Sequence, residues 1–155
     1  MIRISKEVDY SFVLLAYFAR YQKGRKHNAR EVALENALPL PMVRKILKIL
    51  AREGLLVSHR GAKGGYSLAR RGKRISVAEI IRAVEGPVAV TECVDAPGDC
   101  RLEPTCQLRT AWHKINDVML NALSRMTLSD LTDPEPEAPL SFGVEGPGLV
   151  RISRS

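Results

Sequence analysis

The strongest constraint on this chain lies between residues 28 and 69. There, turn residues cut it into pieces long enough only for two helices and a hairpin. Asn28-Ala-Arg-Glu31 has the spacing of a capping box, which predicts a short helix ending near Asn36. Leu38-Pro39-Leu40 makes the turn, and Pro41 suits the first turn of the next helix, where its missing N–H costs nothing. That helix is expected to run to about Glu53, with Val43, Ile46, Leu47 and Leu50 on one face and Gly54 as its stop. Leu55–Ser58 reads as a short strand, Gly61-Ala-Lys-Gly-Gly65 as a turn and Tyr66–Ala69 as the returning strand. Helix, tight turn, helix and hairpin together make a winged helix-turn-helix.

The flanks are helical. Ser5 can cap a helix from about Lys6 to Tyr21, whose apolar residues run nearly all the way round. Such a helix is buried on more than one side, and a partner subunit is one second cover. Ser76-Val-Ala-Glu79 is a second capping box, opening a helix that Gly86-Pro87 ends near Glu85. Residues 92–106 have little periodicity and read as a loop. From Gln107 to Arg125 the chain turns helical again, with Leu108, Ala111, Trp112, Ile115, Val118, Met119, Ala122 and Met126 as one apolar stripe. Thr127-Leu-Ser-Asp130 can open one further turn, and four prolines after Asp133 suggest a flexible tail. The expected architecture is mainly α with a small β-hairpin wing. A winged helix-turn-helix spans 1–86, a cysteine loop 87–106, a dimerisation helix 107–131 and a tail 132–155.

Charge separates the two halves. Residues 1–76 carry a net +12, and residues 77–155 a net −5. A basic half built as a winged helix points to double-stranded DNA. A recognition helix needs cationic or polar side chains near its N-terminal end, where base edges come within reach. Pro41, Met42, Arg44 and Lys45 occupy that region, with Arg44 or Lys45 suited to guanine and Met42 to a thymine methyl. The wing offers Arg60 and Lys63 beside Gly64 and Gly65, whose small size lets a hairpin tip approach the backbone of DNA. His27 and His59 lie in this half and read as surface residues. The glycine-rich turn matches neither common nucleotide-binding pattern. The longest apolar run, Phe12–Ala19, falls far short of the roughly 20 residues a membrane helix needs. Acidic residues precede this run and no small-residue cleavage site follows it, which makes it a poor signal peptide and a cytoplasmic location the expectation.

Cys93, Cys100 and Cys106 are the chain's only cysteines. Disulfides are rare in the cytoplasm, so clustered thiols there point to a metal or to redox chemistry. Their C-x6-C-x5-C spacing lacks the tight knuckle of a structural zinc site, and wider loops can wrap an iron–sulfur cluster. Four ligands are usual for such a cluster, so a fourth must come from elsewhere. Zinc, or a metal-free thiol switch, is the alternative.

On these residues the chain resembles the winged-helix iron–sulfur regulators of the IscR and NsrR type, the Rrf-two family. The resemblance covers about residues 1–131. It rests on Met1-Ile-Arg-Ile-Ser-Lys6 with Asp9-Tyr10, Leu38-Pro-Leu-Pro41, Gly54-Leu-Leu-Val57 and Arg60-Gly-Ala-Lys-Gly-Gly-Tyr66-Ser-Leu68. Ser76-Val-Ala-Glu-Ile80, the three cysteines and Trp112 extend it. The opening and Thr91-Glu-Cys93 look closest to the subgroup regulating SUF-type cluster assembly. The resemblance implies a homodimer with crossed long helices. It also implies one [2Fe–2S] or [4Fe–4S] cluster per subunit, on Cys93, Cys100 and Cys106. Where one branch of the family has a fourth-ligand His, three residues after the last cysteine, this chain has Arg109. In another branch an Asp of the other subunit's first helix is the ligand, and Asp9 matches it, with Glu7 a neighbouring candidate.

The expected function is a cluster-sensing transcription regulator, a repressor of iron–sulfur assembly genes. Alternatives are a nitric oxide-sensing repressor of the same family and a zinc-stabilised DNA-binding module. An enzyme or electron carrier is disfavoured, because no hydrolase or metalloprotease motif and no nucleophile–base pair is present.

Overall fold

The computed structural model describes residues 3–21 and 25–132. Ser5 caps α1 (Lys6–Arg20), its hydroxyl accepting from the Val8 N–H. Asn28 caps α2 (Ala29–Glu35) by accepting from the Arg30 and Glu31 N–H groups. The capping box is only half made there, because the Glu31 carboxylate turns to His27 instead. α3 (Leu40–Arg52) carries Pro41 in its first turn and ends in a Schellman turn. In that turn Leu55 N–H reaches Leu50 C=O and Gly54 N–H reaches Ala51 C=O.

Strands β1 (Leu56–His59) and β2 (Gly65–Leu68) pair antiparallel, with Leu56 opposite Leu68 and His59 opposite Gly65. A 3-10 turn (Gly72–Arg74) leads to α4 (Val77–Glu85), which opens on a complete Ser76/Glu79 capping box. Burial alone would raise the Glu79 carboxyl, but the Ser76 N–H and Arg70 outweigh it and hold its pKa below the ordinary range. The cysteine segment, expected as plain loop, contains a short helix α5 (Glu92–Asp95) and a 3-10 turn (Glu103–Thr105). Local i to i+3 and i to i+4 bonds suffice for such single turns without hydrophobic periodicity. Helices α6 (Arg109–Arg125) and α7 (Leu128–Thr132) complete the fold. The proposed tail lies, beyond Thr132, outside the described residues.

The core is built on α1. Leu14, Leu15, Tyr17 and Phe18 pack with Val43, Ile46, Leu47 and Leu50 of α3, Ile80 of α4 and Leu128 of α7. The second cover of α1 therefore comes from its own chain. α7 and α4 both lie against it, and α7 is tied back by Leu128 N–H to Ile75 C=O and Val77 N–H to Met126 C=O.

The α6 stripe is not one face. Asn116 is buried, with Trp112, Met119 and Leu123 half-buried, on the side packed against α4 and α5. Leu108, Ala111, Ile115 and Val118 point outward, Leu108 being 59% and Val118 60% exposed. Their alternating three- and four-residue spacing is a separate seam.

His27 is not a surface residue. It is fully buried, among the rings of Tyr17, Phe18 and Tyr21. Its Nδ1 lies 3.0 Å from the Tyr17 hydroxyl and 2.9 Å from Glu31 Oε1, while Nε2 is buried without a partner. Burial and the neighbouring Tyr21 hydroxyl push the Tyr17 pKa up, so this phenol stays protonated. The backbone of His27 exchanges both hydrogen bonds with Tyr66, pinning the wing to the entry of α2. Gly65 makes this possible: a Cβ there would sit 2.6 Å from the His27 carbonyl oxygen, at φ +154. Replacing Gly65 by Ala should therefore cost about 2 kcal/mol or more. A urea denaturation midpoint equal to wild type would show that this close approach carries no strain.

Candidate nucleic-acid interface and thiol loop

The apolar face of α3 anchors it, and its opposite side is free. Pro41, Arg44, Lys45 and Lys48 are exposed, whereas Val43, Ile46, Leu47 and Leu50 are fully buried. Met42 is half-buried against the core, which limits how far its side chain reaches outward. The Lys45 ammonium pairs with the Glu7 carboxylate on α1, so its charge is already engaged within the chain. Arg44 makes no ion pair among the described residues and is the freer cation of this turn.

On the wing, Arg60 and Lys63 are exposed at the hairpin tip. Gly64 and Gly65 serve internal contacts. A Cβ on Gly64 would meet the His59 carbonyl oxygen at 2.4 Å and that of Gly61 at 2.8 Å. These glycines let the hairpin close on itself and on His27, a need that precedes any approach to a ligand. His59 points along the wing and bonds Ser67 Oγ through Nε2 at 2.9 Å.

The three thiols are free. Cys93 is buried on α5, while Cys100 and Cys106 are half-buried, Cys106 capping the 3-10 turn. Cys93 Sγ lies 3.3 Å from Thr91 Oγ1. Three residues before Cys93, Val90 N–H donates to the buried Asn116 Oδ1, which fixes the start of the loop on α6. The role of Asn116 was legible only as a polar residue interrupting the apolar side of a helix. Among the described residues, no three His, Cys, Asp or Glu side chains converge into a metal-holding group. The donor set, three uncommitted thiols on one loop, fits iron or zinc in its chemistry.

Asp9 stands exposed on the first turn of α1, whereas its neighbour Glu7 is committed to Lys45. His113 is half-buried on α6. Cys106 lies before α6, which starts at Arg109. Arg109 pairs with Glu103 at 2.9 Å.

Comparison with known proteins agrees with this geometry. The family model Rrf2, described as an iron-dependent transcriptional regulator, matches residues 4–134. The HTH-type transcriptional regulator NsrR of Geobacillus kaustophilus is 28% identical over 133 residues, 85% of this chain and 90% of that protein. Among solved structures, CymR, the global cysteine regulator of B. subtilis, superimposes with a TM-score of 0.66 at 28% identity. That match covers 85% of this chain and 97% of the CymR chain. IscR of T. potens gives a TM-score of 0.62 at 25% identity, covering 84% and 85%. With a winged helix, a free basic face and a thiol loop in the described residues, the chain belongs to the Rrf2 family: it is a transcriptional regulator and not an enzyme.

Proposed function

We propose that this regulator is a cytoplasmic homodimer that binds operator DNA and represses iron–sulfur assembly genes according to the state of a bound iron–sulfur cluster. The observation that carries the sensing part is the set of three free thiols on the loop leading into α6. Its family's description as iron-dependent supports the same reading. Cys93, Cys100 and Cys106 would hold the cluster, with Asp9 reaching over from the partner subunit as the fourth ligand. When bound, the cluster supplies a redox- and nitric oxide-reactive centre. The chain supplies the frame around it. α5 and Asn116 fix the loop on α6, and α1 carries Asp9 while packing against α3. No described helix is long and apolar enough to cross a membrane, in keeping with a DNA-binding protein.

For DNA, the 1–86 segment would place α3 in the major groove, with Pro41, Met42, Arg44 and Lys45 at the bases. Arg60, Lys63, Gly64 and Gly65 would form the wing contact. Phosphate contacts by such cations dominate affinity and make it salt-dependent. For the dimer, the outward seam of Leu108, Ala111, Ile115 and Val118 is the supporting feature, since an apolar seam of this spacing gains by pairing with its own copy. The loop at 87–106 and the helical segment 107–131 then act as sensor and dimer contact.

Three measurements test this reading. Arg44→Glu combined with Arg60→Glu should abolish operator binding in a gel shift, and unchanged affinity would remove the interface assigned here. Ile115→Glu should leave a monomer in sedimentation velocity at micromolar concentration; a retained dimer would place the interface elsewhere. Protein purified without oxygen should be coloured, with iron and sulfide in equal amounts, and Asp9→Ala should change its visible spectrum or speed cluster loss. A colourless protein holding one zinc would instead favour a zinc-stabilised module.

A further inference from the structure

The side chain that most directly governs the thiol loop is one that carries no sulfur. Glu103 opens the 3-10 turn between Cys100 and Cys106, and its side chain is only 9% exposed. Its two oxygens have separate partners. Oε2 accepts from the Gly98 N–H at 2.6 Å, and Oε1 pairs with Arg109 Nη2 at 2.9 Å. Gly98 lies two residues before Cys100, and Arg109 three residues after Cys106. The backbone of Glu103 adds to the same closure. Its N–H donates to Cys100 C=O at 3.0 Å, and its C=O accepts from Cys106 N–H at 3.4 Å. One residue thus touches both cysteines by main chain and both flanks of the loop by side chain.

We propose that Glu103 and Arg109 form a clasp that sets the spacing of Cys100 and Cys106 before any metal arrives. They are positioning residues, not ligands. The inference rests on the reading of this loop as a metal-binding loop. Its second consequence concerns donor choice. The Glu103 carboxylate is the side-chain carboxylate nearest in sequence to Cys106, and Arg109 together with Gly98 occupies both of its oxygens. The clasp thereby withdraws this one carboxylate from the donor pool, while Glu92, Asp95 and Asp99 of the same loop stay exposed. A charge-assisted bond to a main-chain N–H and an ion pair from one poorly exposed carboxylate is a stronger restraint than an ordinary surface pair.

The test uses full-length protein, freed of metal by chelation and kept reduced, treated with N-ethylmaleimide. Labelling of each cysteine is followed by peptide mass spectrometry. Glu103→Ala and Arg109→Ala should each speed alkylation of Cys100 and Cys106 about fivefold, as loss of a partly buried, charge-assisted pair predicts. Cys93, buried on α5, should keep its rate and serve as the internal reference. Arg109→Lys, which keeps the charge but not the fork, should stay within about twofold of wild type. Removing opposite charges near a thiol moves its thiolate fraction, and so its reactivity, in opposite directions. If the two alanine variants shift the rates in opposite directions, the effect is electrostatic and the clasp is refuted. Rates equal to wild type in both variants refute it as well. Should Glu103→Ala fail to fold by circular dichroism, Arg109→Ala carries the test, because Arg109 is half-exposed and leaves the Gly98 bond in place. All rates are measured without metal. A protein that proves colourless when purified overturns the cluster reading and leaves the alkylation result standing.

Discussion

The burial of α1 is the constraint on which the rest of the molecule depends. Leu14 and Leu15 are completely enclosed, and the helix is packed from different sides by α3, α4, α7 and β2. Full burial of a leucine is worth about 1.5–3 kcal/mol, so a handful of such side chains outweighs any surface ion pair in this chain. The result is a single frame. The first turn of α1, where Asp9 stands, and the exposed side of α3 cannot move independently without breaking the same apolar core. The wing joins that frame by packing Leu56, Tyr66 and Leu68 on the same core, and the paired backbones of His27 and Tyr66 add a second tie.

The thiol loop is held in the opposite manner. Between α4 and α6, the segment bearing the cysteines relies on a few polar bonds: Asn116 to Val90, and Glu103 to Gly98 and Arg109. Cys93 is the only buried residue of residues 87–108. Segments with few buried apolar contacts open locally at low cost, and elements that respond to a signal are drawn from that end of the stability range. A stiff helical frame and a lightly tethered loop therefore coexist in one chain.

Much of this was legible from local rules. Ser5, Asn28 and Ser76 cap the helices expected of them, Gly54 stops α3, and the hairpin strands fall within one residue of expectation, because capping and turn chemistry act over three or four residues. What escaped was decided by tertiary partners. His27 looked like a surface residue among Arg25, Lys26 and Asn28, yet it occupies the position before a helix cap, where side chains often fold inward. The apolar stripe of α6 read as one face because periodicity counts hydrophobic residues without saying which neighbour covers them. The Arg109–Glu103 pair is invisible for the same reason: in sequence Arg109 reads as a position lacking a histidine, and only its 2.9 Å distance to Glu103 shows the contact. Of the cysteines, spacing conveys the donor types but not their convergence, and among the described residues they do not form a metal-holding group.

The Lys45–Glu7 pair gives one more consequence. Lys45, the exposed cation next to Arg44 on α3, is already paired with a carboxylate two residues from Asp9. A phosphate that draws Lys45 away must compete with Glu7, and the freed Glu7 charge then raises the negative potential around Asp9. A cation held near Asp9 would feel that change, and by thermodynamic reciprocity it would alter the hold on the phosphate by the same factor. The first turn of α1 and the exposed side of α3 thus share one counterion pair, and an exchange of partners there needs no helix to move.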